Sequence, residues 1–393
     1  MAAAADNDKV QVEVLHGGQI MISALMNSPR KGLGRPSVLL DMRPLQGPSA
    51  GRGVGAYARG LLQGLVRAGF DSNLTLLLDI AFDEPALPAG RFKLAGSRRR
   101  SHGQLAAYED AVVLTADIQR IGPDVYHAID LHLPGRSPCP VVVTLHDLIP
   151  WAWGGPRMLG ERFRYLAGRR LLRRADLLIA VSNATAEDAR RLRMAAPGRI
   201  RVIPEAAGPV FAPRQGAAAR VKDRWSLGGS YLLFVGALDA RKDPRALLQA
   251  WRTARLLHPG LQLVIAGDPG RQAPASMEGA VRLGRVDDEA LADLYSAAGC
   301  LVFPSRYEGF GLPCVEAMAC GCPVAAFRNS SLPEVVDDAG ILVADGDGEA
   351  LGKAAADMIR EPERWRRAGL RQASKFSWDT AARETISAYR SLA

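Results

Sequence analysis

The chain has 393 residues, 48% hydrophobic and 23% charged, with a net charge of +9 at pH 7; that length carries two domains of ordinary size and excludes a single small module. Mean hydropathy is −0.02 and no apolar run reaches the roughly 20 residues of a membrane-spanning helix, so composition speaks against a disordered chain and against an integral membrane protein. The positive balance favours anionic partners such as nucleotides or phosphorylated lipids. Without interleaved aromatic pairs beside the arginines, there is no RNA-stacking platform, and nucleic acid is not an expected partner.

Residues 1–35 show no sustained periodicity and read as an N-terminal extension. Met1 to Lys9 lacks an apolar run behind a basic cluster, so no secretory signal is expected and a cytoplasmic location is. From Pro36, short apolar runs alternate with longer helical stretches: Val38 to Leu40, Leu74 to Leu78, Val141 to Leu145 and Leu177 to Val181. This is α/β punctuation. The loop after the first run carries Gly51, Gly53 and Gly55 ahead of the amphipathic stretch Leu61 to Val66, where backbone can approach a phosphate closely. Gly53, Gly55 and Ala58, with Asp79, also fit a variant dinucleotide fingerprint. The loop from Arg43 is too long for the tight turn of that motif.

His146 and Asp147 directly follow the run Val141 to Leu145, which puts an imidazole at the carboxyl end of a strand; His127 follows Val125 and Tyr126 in a comparable place. Arginines from Arg157 to Arg174 flank Leu159, Phe163 and Leu166 at helical spacing. The apolar side of that stretch is expected to pack while the arginines stay solvated; the other reading is a peripheral contact with an anionic membrane.

Three prolines between Arg201 and Pro213 precede a fresh series of runs: Tyr231 to Val235, Leu261 to Ile265, Cys300 to Phe303 and Val324 to Phe327. A boundary near Pro209 follows, giving an N-terminal domain over 36–209, a second over 210–376 and a last helix over 377–393. Near-continuous apolar strands separated by helices predict parallel sheets covered on both faces, hence two doubly wound Rossmann-like domains facing across a cleft. Ligands of such sheets bind at the carboxyl ends of strands.

Of those strand ends, the one after Cys300 to Phe303 is the most informative. Glu308 lies in the loop, Gly309 and Gly311 permit close backbone approach, Pro313 suits a first helical turn, and Glu316 falls in the helix. A helix N-terminus attracts anions and carboxylates accept bonds from vicinal hydroxyls, so loop and helix suit a sugar phosphate. Glu316 could equally complement the helix dipole, with Glu308 merely solvated. After the run ending at Val235 come Gly236 and the basic pair Arg241 and Lys242, opening the helix with Leu247 and Leu248. The five cysteines, Cys139, Cys300, Cys314, Cys320 and Cys322, are sparse, odd in number and without zinc-site spacing; they read as small buried side chains, and no metal is expected.

Glu308 and Glu316, separated by seven residues in this loop-and-helix context, resemble the signature of the retaining, two-Rossmann-domain glycosyltransferases of family four, and the resemblance extends from about Leu39 to Trp378. It implies a GT-B architecture and transfer of a hexose, with retention and by front-side attack, from a nucleotide-diphosphate sugar to a hydroxyl of a glycan or lipid-linked acceptor. In that reading Glu308 holds the hydroxyls of the transferred sugar, beside the backbone N–H groups of Gly309, Phe310, Gly311 and Leu312. Glu316 takes the ribose, and Arg241 and Lys242 take the diphosphate, although Ala237 stands where some relatives have an arginine after Gly236. The loop with Gly53 and Gly55 closes on the donor phosphate, and His146 touches the donor sugar. Val281 to Val286 frames the base, and Glu334, in the loop from Asn329, is structural. Ser377 caps the last helix. No cofactor or metal is implied, and the His146-Asp147 and Asn329-to-Glu334 segments, similar to those of mannosyltransferases, favour GDP-mannose as donor over UDP-sugars. The competing functions are a noncatalytic sugar-nucleotide-binding protein of the same fold and a glycan phosphorylase.

Overall fold

The computed structural model describes residues 14–15, 19–20, 35–47, 50–51, 53–98, 106–149, 169–170, 172–196, 198–268 and 279–393. Within residues 1–35, a unit by itself, β1 (Val14–Leu15) pairs antiparallel with β2 (Gln19–Ile20). The glycines at 53 and 55 are described, the neighbouring Ser49 and Arg52 are not, and the arginine-rich stretch from Arg157 to Leu166 lies outside the described residues.

Residues 36–393 hold two parallel sheets. The first comprises β3 (Val38–Asp41), β4 (Leu74–Asp79), β5 (Lys93–Ser97), β6 (Val125–Ala128), β7 (Val141–Leu145), β8 (Leu177–Ala180) and β9 (Ile200–Val202), in the order β5-β4-β3-β6-β7-β8-β9. The second comprises β10 (Tyr231–Val235), β11 (Gln262–Ala266), β12 (Val281–Gly284), β13 (Cys300–Phe303), β14 (Val324–Phe327) and β15 (Ile341–Val343), in the order β12-β11-β10-β13-β14-β15. The middle strands β3, β6, β7, β8, β13 and β14 are buried at every residue, as parallel strands covered by helices on both faces must be. Each sheet starts in its centre, runs to one edge and restarts on the other side, so strand order reverses at β3/β6 and at β10/β13. Those reversal points open crevices at the carboxyl ends of the strands, and the two sheets present them across a cleft.

Helices α1 (Gly53–Arg67), α2 (Ala106–Ile121) and α3 (Asn183–Arg191) accompany the first sheet. The second has α4 (Ala217–Trp225), α5 (Pro244–Leu257), α6 (Asp288–Ala297), α7 (Leu312–Ala319), α8 (Leu332–Val336), α9 (Gly348–Arg360) and α10 (Pro362–Ala373). The last helix, α11 (Trp378–Arg390), returns to the first sheet. Ser377 accepts from the Asp379 N–H at its start, Asp379 pairs with Arg67 of α1 at 2.7 Å, and the rings of Trp378 and Tyr57 meet edge to face at 5.4 Å. A Cβ at Gly60 would lie 2.1 Å from the Trp378 indole, so only glycine lets the two helices approach this closely. Burial of Trp378, Ile386 and Tyr389 stabilises the docking by about 1.5–3 kcal/mol per large side chain.

Candidate active site

Beyond β10 the chain turns at Gly236, φ +135°. Asp239 accepts from the backbone N–H groups of Arg241 and Lys242 at 3.0 and 3.1 Å, closing a 3-10 turn, Ala240–Lys242. Asp243 then caps α5 by accepting from the Ala246 N–H at 3.1 Å, with Pro244 in its first turn. The basic pair therefore precedes the helix instead of opening it, because two successive aspartate caps split the segment into separate turns.

The loop after β13 binds this turn directly. The Arg306 N–H donates to the Arg241 carbonyl at 2.8 Å, and the Arg306 guanidinium pairs with Asp243 at 2.6 Å. Glu308 Oε1 accepts from Arg241 Nη1 and Lys242 Nζ, each at 2.6 Å, and from the Ser305 hydroxyl. Lys242 Nζ lies 4.1 Å over the Phe303 ring. Burial works against charge on Glu308, yet the neighbouring Lys242 and Arg241 outweigh it and hold the carboxyl down at about 2. Glu308 is thus no solvated loop residue but the anion of a buried cluster, 13% exposed in its side chain. All three donors converge on Oε1, so Oε2 has no hydrogen-bond partner among the described residues.

The next residues form a backbone surface. Among the described residues, nothing accepts from the N–H groups of Gly309, Phe310, Gly311 or Leu312. Gly311, φ +97°, stands at the N-cap of α7, and the Phe310 ring is buried against Phe376, which leaves its backbone for a ligand. The Gly309 carbonyl accepts from Ser182 Oγ at 2.5 Å and Thr185 Oγ1 at 3.0 Å. A Cβ on Gly309 would fall 1.6 Å from the His146 carbonyl oxygen, so this glycine lets the two halves of the molecule meet backbone to backbone. One turn into α7, Glu316 is buried and accepts from Tyr295 Oη at 3.1 Å. Burial pushes its carboxyl up to about 8, so at neutral pH Glu316 is mostly a neutral acid with a proton to donate.

The opposite wall is built from the first sheet. His146, after β7, packs its ring edge to face with Tyr57 of α1 at 4.8 Å. Its Nε2 lies 2.8 Å from the Ile129 carbonyl and its Nδ1 3.4 Å from Glu205 Oε1. Glu205, buried in the segment after β9, was not singled out from the sequence; its signal was an acid three residues past a strand end. Asp147 accepts from the Ile149 N–H at 3.0 Å and orients its own loop. His127 is fully buried, its Nε2 2.9 Å from Thr144 Oγ1 and its Nδ1 2.6 Å from Tyr389 Oη. Burial and the charge of His146 lower it to about 3, so it is a neutral link between sheet and last helix. Gly53 and Gly55 lie in the first turn of α1, beyond the carboxyl end of β3, and Arg285, from the second half, donates to the Gly51 carbonyl at 2.8 Å. Asp79 accepts from the Ala81 N–H at 3.0 Å, a loop contact in place of the ribose contact that a dinucleotide fingerprint would need.

Glu334 has a defined task. Its Oε2 accepts from Asn183 N and Nδ2 at 3.0 and 2.7 Å, and its Oε1 from the Ala184 N–H at 3.0 Å. A carboxylate from the second half thereby satisfies the free N–H groups at the start of α3 in the first. Cys300, Cys314, Cys320 and Cys322 are buried and Cys139 partly so, all as free thiols. Among the described residues no group of three or more His, Cys, Asp or Glu side chains gathers to hold a metal ion, and no helix is long and apolar enough to cross a membrane.

Residues 217–374 match the family of glycosyl transferases group 1, and residues 51–207 match glycosyltransferase family 4. The O-antigen chain mannosyltransferase B of Escherichia coli is 30% identical over 391 residues, covering 90% of this chain and 100% of the relative. Among solved structures, sucrose-phosphate synthase of Thermosynechococcus elongatus superimposes with a TM-score of 0.74 at 24% identity, over 90% of this chain and 98% of that one. Anabaena HepE in complex with UDP-glucose does so with a TM-score of 0.67 at 18% identity, over 91% of this chain and 100% of that one.

Proposed function

This chain belongs to the group 1 glycosyltransferases, and from that premise we propose that it moves a hexose, mannose, from GDP-mannose to a hydroxyl of a glycan or lipid-linked acceptor with retention at the anomeric carbon. The observation that carries the reading is the convergence of Arg241, Lys242 and Glu308 at the β10/β13 reversal point. The carbohydrate transferred is taken from the mannosyltransferase relative whose whole length matches 90% of this chain.

In this reading the donor diphosphate lies against Arg241 and Lys242. Fixed cations in a closed, water-poor cleft stabilise the charge that develops on the departing phosphate without reorganising at the moment of reaction. Glu308 keeps Oε1 anchored to both cations and offers Oε2 to a hydroxyl of the transferred sugar, holding the anomeric carbon so that the acceptor hydroxyl meets it on the face from which the phosphate departs. The free N–H groups from Gly309 to Leu312, with the N-terminus of α7, take phosphate and sugar oxygens. Glu316 holds the ribose, Gly236 leaves room beside Lys242, and the first turn of α1 with Gly53 and Gly55 closes on the phosphate from the other wall. Residues 36–209 form the acceptor-side domain, 210–376 the donor domain and 377–393 the tie between them.

A thermal-shift panel of GDP-mannose, UDP-glucose and an ADP-sugar, without added metal, tests the donor, because a ligand bound only to the native state raises its apparent stability. GDP-mannose should give the largest shift, and Glu316→Ala should abolish it. A larger UDP-glucose shift would replace mannose in the proposal, and a β-linked product from an α-linked donor would refute retention.

A further inference from the structure

His146 is held between two acceptors, the Ile129 carbonyl at Nε2 and Glu205 Oε1 at Nδ1. A neutral imidazole has one N–H and one lone pair, so it satisfies only one of them; an imidazolium satisfies both. A proton on the ring turns the contact with Glu205 into a charge-assisted hydrogen bond. We propose that Glu205 is a positioning residue that keeps His146 as an imidazolium, a fixed positive charge on the first-sheet wall of the cleft.

Every element packed on the ring agrees with this. From α1, Tyr57 presents its ring at 4.8 Å and burial keeps its phenol protonated, so it contributes no charge. From β6 and its following loop come neutral His127, the Ile129 carbonyl and Asp130, a second acid whose charge reaches the ring. From the segment after β9 comes Glu205, its side chain 6% exposed. From the second half, Gly309 abuts the His146 backbone, and Arg241 and Glu308 are near enough to act on the adjacent Asp147. Burial alone would drive His146 neutral; Glu205, Asp130 and the Ile129 carbonyl together reverse it and raise the group above its ordinary value.

The consequence for transfer rests on the proposed function: a third cation, on the wall opposite Arg241 and Lys242, complements the negative charge of the departing diphosphate. With both N–H groups committed to protein acceptors, His146 would act on the donor through its charge, whereas Glu205 acts through His146 and is tested by readouts that a merely structural role would not move.

The experiment uses the full chain labelled with 15N-histidine, whose six histidines are separated by assigning His146 through His146→Asn. The His146 titration midpoint should lie above that of a free imidazole, and Glu205→Gln should lower it by at least one pH unit, a tenfold loss of proton affinity, with Glu205→Asp restoring part of it. A His146 midpoint at or below that of a free imidazole, or one unmoved in a Glu205→Gln protein that melts cooperatively, would overturn the proposal. If Glu205→Gln does not fold, the wild-type ring signals and Glu205→Asp decide. With GDP-mannose turnover, Glu205→Gln should lose kcat at pH 8 more than at pH 6; parallel profiles would also overturn it. Should the ion pair titrate as stated while no nucleotide sugar binds, the donor assignment fails and the pair stands.

Discussion

The two walls of the cleft are made in opposite ways. The second-sheet wall is nearly contiguous: residues 236–243 and 305–316 supply its cations, its anion and its free backbone N–H groups, locked together by short ion pairs. The first-sheet wall is assembled from distant pieces, Tyr57, Thr144, His146, Glu205 and the last helix, joined through neutral hydrogen bonds, ring edges and the single pair of His146 with Glu205. A contiguous charged wall concentrates its effect in few residues, each expected to matter for chemistry. A dispersed wall spreads its effect, and single changes there should act more on geometry and stability than on the bond being broken.

The largest expected effect tests the first half of that contrast. Glu308→Ala should lower transfer by about 100- to 1,000-fold, the range for removing one preorganised electrostatic group, while GDP or UDP affinity measured by calorimetry is kept or improved, because Arg241 and Lys242 lose their internal anion. A parallel loss of nucleotide affinity would show that Glu308 serves the fold of the site and not the sugar. Gly309→Ala comes next: its Cβ would meet the His146 carbonyl at 1.6 Å, so the two walls must separate. Turnover should fall by about 10- to 100-fold, in line with a displacement of the order of 1 Å between reacting groups, while the melting temperature changes less; unchanged turnover would mean the closed contact is irrelevant to transfer.

This contrast also decides what could be read from the sequence. The buried strands around each reversal point were legible, since a parallel strand covered on both faces must be apolar throughout. The edge strands β5 and β9 were not: Lys93–Ser97 carries a lysine, a glycine and a serine, and Ile200–Val202 is only three residues with an arginine in the middle. In the site, Glu308 and Glu316 stood out because their spacing along one loop and one helix carries chemical meaning, and Arg241 and Lys242 because they form a basic pair just past a strand end. Glu205, Ser182 and Tyr389 did not, since their partners His146, Gly309 and His127 are 59, 127 and 262 positions away.

Glu316 gives a pH test of intermediate size. Its folded carboxyl is raised to about 8 from an ordinary 4.5, so the folded state holds a proton that the unfolded chain releases. Stability from this group is present below pH 4.5 and is lost as pH rises through 8. Glu316→Gln keeps the shape without the titration. The variant should therefore melt with a flatter pH dependence between 5 and 8 and be the more stable protein at pH 8, by up to a few kcal/mol. A wild type whose stability rises over that interval would contradict the buried neutral acid.

The interdomain cap on α3 should be weaker still. Glu334→Ala removes three charge-assisted bonds from a helix N-terminus, worth about 0.5–2 kcal/mol as a cap, and loosens the start of α3, whose Ser182 and Thr185 hold the Gly309 carbonyl. Donor KM should rise several-fold with little change in kcat. An equal fall in kcat would place Glu334 among the groups that act in the transition state.

The smallest effect belongs to the dispersed wall. Tyr389→Phe deletes the hydroxyl 2.6 Å from His127 Nδ1 and leaves a buried ring nitrogen unpaired, at a cost of about 1–3 kcal/mol. His127 is neutral and bonded to Thr144 on its other side, so the chain from Tyr389 to Tyr57 and on to the His146 ring is broken at its far end, four contacts from the reacting bond. The melting temperature should drop by a few degrees while kcat stays within about twofold, since the Tyr57 ring is still held by Trp378 and by Thr144. If kcat fell tenfold instead, the last helix would set the position of His146 through this neutral chain. The two walls would then differ in how far their control of chemistry extends, and not in whether they have it.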